Sequence, residues 1–164
     1  KMPVKKGDVF YIPAGLLHAI GAGITVAEIQ QSSDVTYRVY DYNRENASHE
    51  KRPLHIEKAA QVAGFMPPLA GHRPMGPRIR KNGYSRTLLV QCPYFVVQLY
   101  EISESMTGDT AGDFQSILIL EGEGVLKTRF GEMSLKAGDS IYLPQETGDY
   151  QIIGTLQLLR STEE

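Results

Sequence analysis

The chain has 164 residues, 41% hydrophobic and 22% charged, with a formal net charge of −2; this is ordinary globular composition, which excludes a disordered or fibrous chain and leaves room for a real core. No dense Lys/Arg run is present, so a nucleic-acid or anionic-membrane partner has no electrostatic support. One cysteine, Cys92, excludes an internal disulfide, no apolar run nears the roughly 20 residues that cross a bilayer, and KMPVKKGD lacks the apolar part of a signal peptide, so the cytoplasm is the expected compartment.

Sixteen glycines and nine prolines punctuate the chain into short segments, which predicts an all-β fold. In chain order the first expected strands are VFYIP, ITVAEIQ and VTYRVYDY, rich in Val, Ile and Tyr and bounded by Gly, Pro, Asp or Ser. The opening residues already read as the approach to a strand, as if the chain entered a domain partway. LHIEKAAQVAGF, residues 54–65, alone carries apolar residues at helical spacing and predicts a short helix with Gly64 as a stop. Residues 66–83 hold four prolines and three glycines without a hydrophobic period, so an ordered loop or linker is expected over 66–85. FVVQLYEI, SILILEGEG, GVLKTRF, SIYLP and LQLLR predict a second β-region from residue 86 to 164.

KKGDVFYIPAG at residues 5–15 is echoed by KAGDSIYLPQE at 136–146, an offset of 131 residues. Each is a Gly-Asp turn feeding an apolar strand that ends at proline. The offset is too long for a solenoid, whose repeats run about 20–50 residues, and points to two copies of one β-domain. The first copy, residues 1–65, has almost nothing before its echo and is expected to be incomplete on its N-terminal side.

After the first turn comes His18, in P-A-G-x-x-H, a pattern resembling the way cupin barrels aim a histidine into the barrel mouth. Neutral imidazole suits a borderline divalent metal; a buried structural histidine is the alternative. The second copy places Asp149 opposite His18 and has no histidine there, so a metal site belongs to the first copy or to neither. In VAEIQQSSDVTYRVYDYNR the even positions carry Glu28, Gln30, Asp34 and Arg38. In an extended chain they share a face, with Ser-Ser-Asp breaking the strand. That face either is solvated, with Asp34 and Arg38 a surface ion pair worth little, or lines a barrel and handles a polyhydroxy, phosphorylated ligand.

The run GDVFYIPAGLLHAIGAGITVAEIQQSSDVTYRVYDYNR, with LHIEKA after it, resembles type I mannose-6-phosphate isomerases of the short bacterial form, members of the cupin superfamily. The resemblance covers the chain as the C-terminal half of such an enzyme. It implies two cupin-type jelly-roll barrels, the first incomplete, with the short helix between them and no metal site in the second. It also implies a zinc centre interconverting mannose 6-phosphate and fructose 6-phosphate through a cis-enediol. His18 matches the last metal ligand, Arg38 the catalytic arginine and Asp34 the acid of S-D-x-x-x-R, with Glu28 and Gln30 as substrate-lining candidates. The remaining ligands are expected in the N-terminal half, which this chain does not contain. The chain alone is therefore expected to be inactive, with that half or a strand-exchanged copy of itself as partner and a phosphorylated hexose as substrate. The rival expectation is a non-enzymatic cupin that binds a sugar or a protein.

The other motifs carry less. His49, His55 and His72 read as solvated surface histidines, and Cys92 as a buried small hydrophobe. LEGEGVLK reads as a hairpin turn rather than a dinucleotide loop, because no helix comes after it. Arg73, Arg78, Arg80 and Lys81 make the linker locally basic.

Overall fold

The computed structural model describes residues 1–64 and 71–163. It divides into two compact units, Lys1–Val9 with His72–Glu164, and Phe10–Gly71.

The first unit is an eight-stranded antiparallel sheet. Its strands are β1 (Arg78–Lys81), β2 (Tyr84–Cys92), β3 (Phe95–Ile102), β4 (Ser105–Asp109), β5 (Gln115–Thr128), β6 (Gly131–Lys136), β7 (Ser140–Leu143) and β8 (Asp149–Thr162). The spatial order is β1-β2-β3-β8-β5-β6, with β4 also on β8 and β7 also on β5. Alternation places one set of side chains inside: Tyr100 and Ile119 both face Leu158, and Met106 and Leu126 both face Ile152. These residues with Ile102, Ile117, Leu135, Leu143, Tyr150 and Leu156 form the core. Ile152 is completely buried, and a side chain of that size contributes about 1.5–3 kcal/mol on leaving water.

β3 covers the expected segment FVVQLYEI end to end. The expected linker is partly strand: β1 and the start of β2 fall within residues 78–85, joined through Asn82 and Gly83. β1 reads Arg-Ile-Arg-Lys and is exposed throughout, an edge strand whose charges hide the strand period. The expected linker also takes in residues 66–70, which lie outside the described residues, as does residue 65 at the end of the expected helix.

LEGEGVLK is not a hairpin turn. Gly122 and Gly124 lie inside β5, which runs unbroken through both expected segments and shifts register against β8 between Ile119 and Glu121. Gly122 has φ +79°, and a Cβ there would collide with the Thr155 carbonyl oxygen. Only glycine serves this bulge.

The internal echo is present as paired local geometry. In the first copy the Lys5 amide donates to Asp8 Oδ2 at 3.0 Å and the Asp8 amide to the Lys5 carbonyl at 3.2 Å. In the second, the Lys136 amide donates to Asp139 Oδ2 at 2.8 Å and the Asp139 amide to the Lys136 carbonyl at 3.1 Å. Gly7 and Gly138 take φ +90° and +92°. The proline turns repeat as well, Leu16 to Pro13 at 3.2 Å and Thr147 to Pro144 at 3.0 Å.

Between and beyond these turns the two copies diverge. Ser140–Leu143 pairs with β5, whereas VFYIP, ITVAEIQ and VTYRVYDY enter no ladder. The expectation of strands in residues 9–42 is thus corrected. A β-strand exists only where a neighbouring backbone takes up its N–H and C=O groups in succession, and these segments have no such continuous neighbour among the described residues. The Phe10–Gly71 unit has a single bridge, Glu45 to Lys51, and a helix α1 (Ile56–Val62). The helix is shorter than expected: at its start the His55 amide and ring are bonded to Arg38, and at its end Ala63 takes extended dihedrals. Among the described residues of this unit only Asp41 and Ala59 are buried.

Candidate active site

His18 is placed from the proline turn outward. Gly15 has φ +83°, and a Cβ on it would lie 2.6 Å from the Val62 carbonyl oxygen, so the turn and the end of α1 meet only because this residue is glycine. The Gly64 amide donates to the Gly15 carbonyl at 2.9 Å and closes the contact. His18 emerges exposed, with Nδ1 2.9 Å from the Leu16 carbonyl oxygen. A carbonyl only accepts, so Nδ1 donates in this bond and Nε2 is the ring nitrogen left outside it, as in many metal-binding histidines.

Arg38 is half-buried and fixed through its backbone. Its amide donates to His55 Nδ1 at 3.2 Å, and its carbonyl accepts the His55 amide at 2.7 Å. His55 is therefore not a solvated surface histidine as the sequence suggested; it clamps the residue before α1 onto Arg38. The Arg38 guanidinium makes no ion pair among the described residues, with Asp34 or any other acid, so the surface-pair reading of these two is not what forms. Asp34 is exposed next to a turn in which the Val35 amide donates to Ser33 Oγ at 3.3 Å, the expected break in the segment. Glu28 and Gln30 are exposed. The Tyr42 hydroxyl donates to the Ile20 carbonyl at 3.2 Å, tying the Arg38 segment to the His18 segment.

Sequence reasoning missed Asp41. Its buried carboxylate accepts from Arg44 Nη2 at 2.6 Å and from Arg52 Nε and Nη2 at 2.7 and 2.5 Å. The signal available was an acid followed at three and eleven residues by arginines, which is indistinguishable from surface charge until the chain turns back on itself. The Arg52 hydrogen bonds, against opposition from burial, hold the Asp41 carboxyl down at about 2. A depressed pKa stabilises the fold fully above the ordinary carboxylate value and loses that contribution as pH falls through about 2. Acid titration followed by amide NMR is expected to release Arg44 and Arg52 between about pH 4 and 2. Asp41→Asn is expected to release them at every pH; an unchanged acid transition in this variant would remove Asp41 as its origin.

His18 fits one position of a metal centre, but zinc sites take three or four protein ligands. Among the described residues no group of three or more His, Cys, Asp or Glu is placed to hold a metal ion. The residues present thus do not by themselves fit a zinc centre. Asp149, the counterpart of His18, begins β8 opposite Asp109. Cys92 is buried, with Sγ 3.6 Å from the Phe95 carbonyl oxygen, as expected. No helix among the described residues is long and apolar enough to cross a membrane.

The cupin-domain profile of mannose-6-phosphate isomerase matches residues 85–163. The mannose-6-phosphate isomerase of Streptococcus mutans is 38% identical over 161 residues, 98% of this chain and 50% of that protein. Bacillus subtilis ManA, also named a mannose-6-phosphate isomerase, is 35% identical with the same coverage. The crystal structure of the mannose 6-phosphate isomerase from Bacillus subtilis superposes with a TM-score of 0.69 at 32% identity, covering 79% of this chain and 40% of that one. The chain spans about half the length of the curated relatives it matches. Its all-β antiparallel architecture with one short helix is that of a cupin jelly roll. Residues 85–163 thus match the cupin domain of mannose-6-phosphate isomerase, and over nearly its whole length the chain is similar to one half of proteins named for that activity.

Proposed function

We propose that the chain contributes His18, Asp34 and Arg38 to an aldose–ketose isomerase site that interconverts mannose 6-phosphate and fructose 6-phosphate, with Glu28 and Gln30 beside the substrate. What supports this reading is an exposed His18 whose Nδ1 is engaged by the Leu16 carbonyl, together with an Arg38 guanidinium that has no ion pair among the described residues, on segments joined through Tyr42. A proton leaves C2 and returns to C1 through a cis-enediol, so the site needs a proton carrier and a donor for the enediolate oxygen. Asp34 carries or orients the proton. Arg38 offers its planar fork to the oxygen that gains charge. His18 would be one ligand of a zinc ion whose other ligands come from outside this chain, and such an ion would supply polarisation of the substrate oxygens. The chain alone is inactive in this reading, its partner is the N-terminal half of the enzyme or a second copy with exchanged segments, and the free thiol of Cys92 suits a cytoplasmic setting.

The test is zinc content and isomerase activity of the chain alone and mixed with the N-terminal half of a related enzyme. Zinc and turnover are expected in the mixture only, and both are expected to fall with His18→Ala. A folded mixture with neither would overturn the proposal and leave a cupin binding module.

A further inference from the structure

Beside the core of the sheet unit stands a positive charge that the proposed isomerase chemistry does not use. Arg160 on β8 sits beside Gln98 on β3, and its Nη2 donates to Gln98 Oε1 at 2.5 Å. The same oxygen also accepts from the Tyr100 hydroxyl at 3.2 Å. The Arg160 guanidinium lies 5.0 Å from the centroid of the Tyr100 ring, and its Nε is buried with no hydrogen-bond partner. On the other side of Tyr100, Arg86 of β2 stands directly across the ladder on the same face. Among the described residues neither arginine has a carboxylate within ion-pair distance.

A guanidinium presents five N–H donors and no acceptor. Here the neutral Gln98 oxygen, already shared with Tyr100, and the Tyr150 hydroxyl oxygen meet the Arg160 fork, while its Nε has no partner. Two arginines beside one buried ring, with no acid between them, leave the cluster short of acceptors and of negative charge. Arg86, Gln98 and Arg160 are each half-buried, so the cluster reaches solvent. Its charge is felt nearby: burial pushes the Tyr150 hydroxyl up, and Arg160 opposes that shift.

We propose that Arg86, Gln98, Tyr100 and Arg160 form a second binding site, for a phosphoryl oxyanion, within the cupin domain. Arg86 and Arg160 stand on strands that flank Tyr100 and share its face of the sheet, and two planar forks there suit the several oxygens of a phosphate, which accepts paired N–H bonds. The ligand is inorganic phosphate or the phosphate group of a small sugar phosphate. The site uses neither His18 nor Arg38 and does not rest on the isomerase reading.

The experiment is isothermal titration calorimetry of the full chain with inorganic phosphate, mannose 6-phosphate and mannose. Saturable binding of one or both phosphorylated probes and none of mannose is expected. A preference for mannose 6-phosphate of about tenfold or more assigns the ligand to sugar phosphates, and equal affinity assigns it to free phosphate. Arg160→Gln and Arg86→Gln are each expected to weaken binding about tenfold or more, through loss of charge-assisted hydrogen bonds. Arg129→Gln, a surface substitution, and Arg38→Ala leave it unchanged. Should Arg160→Gln fail to fold, Arg86→Gln carries the test. No saturable heat, an affinity that survives Arg86→Gln, or one that Arg38→Ala abolishes would overturn the proposal.

Discussion

Arg38→Ala is expected to lower kcat of the complemented enzyme about 10²–10³-fold, the usual effect of removing one donor to a developing oxyanion, with a much smaller change in KM. The side chain can be removed cleanly because Arg38 is held by its backbone: the two bonds to His55 use the amide and carbonyl, which alanine retains. Zinc content and the circular dichroism of the complemented protein should therefore be unchanged. Arg38→Lys should recover little, since an ammonium is a point charge without the planar fork. Turnover near that of the unmodified protein in Arg38→Ala would take the residue out of the chemistry.

Gly122→Ala is expected to have the largest effect on stability, lowering that of the sheet unit by about 3 kcal/mol, from a left-handed backbone penalty of about 1–2 and overpacking of about 1–3. Both penalties apply at one residue, because φ is +79° and Leu156 Cα would lie 2.8 Å from the new methyl. Gly112 provides the comparison: its φ is +99° with nothing within 4 Å of a Cβ, so Gly112→Ala carries the backbone penalty alone. Urea unfolding of the two variants separates the penalties. Equal losses would show that the approach of β8 to Gly122 costs nothing.

Legibility in the sequence depends on how local each feature is. The Gly-Asp and proline turns close over three residues and are readable from the repeated motif alone. β3 is readable because an apolar run bounded by turns needs no knowledge of its neighbours. β1 and β6 are not, since Arg-Ile-Arg-Lys and Gly-Glu-Met-Ser-Leu-Lys are exposed almost throughout and carry little apolar signal. β5 reads as two segments because Gly-Glu-Gly usually ends a strand; only pairing with β8 shows that the glycines let it continue. In the Phe10–Gly71 unit the reverse holds: Val26, Val35 and Tyr40 have strand propensity yet are exposed, since propensity does not supply a neighbour.

The site divides in the same way. His18, Asp34 and Arg38 stand in a motif and can be named before any geometry. Asp41 cannot, because its partners arrive from three and eleven residues away. The Arg160 cluster is further out of reach, since β2, β3 and β8 must be in register before Arg86, Tyr100 and Arg160 become neighbours.

The bulge in β5 also decides how the chain is apportioned. Before it, Gln115–Leu118 pairs with β7; after it, Glu123–Thr128 pairs with β6, while β8 runs along the other edge throughout. One strand thus serves as a seam between two stretches of wall, with no loop spent on the join. Because strand side chains alternate, a residue inserted on one side of that seam turns one stretch inside out and leaves the other as it was. Length changes should be far rarer between Glu121 and Val125 than in the connections around them.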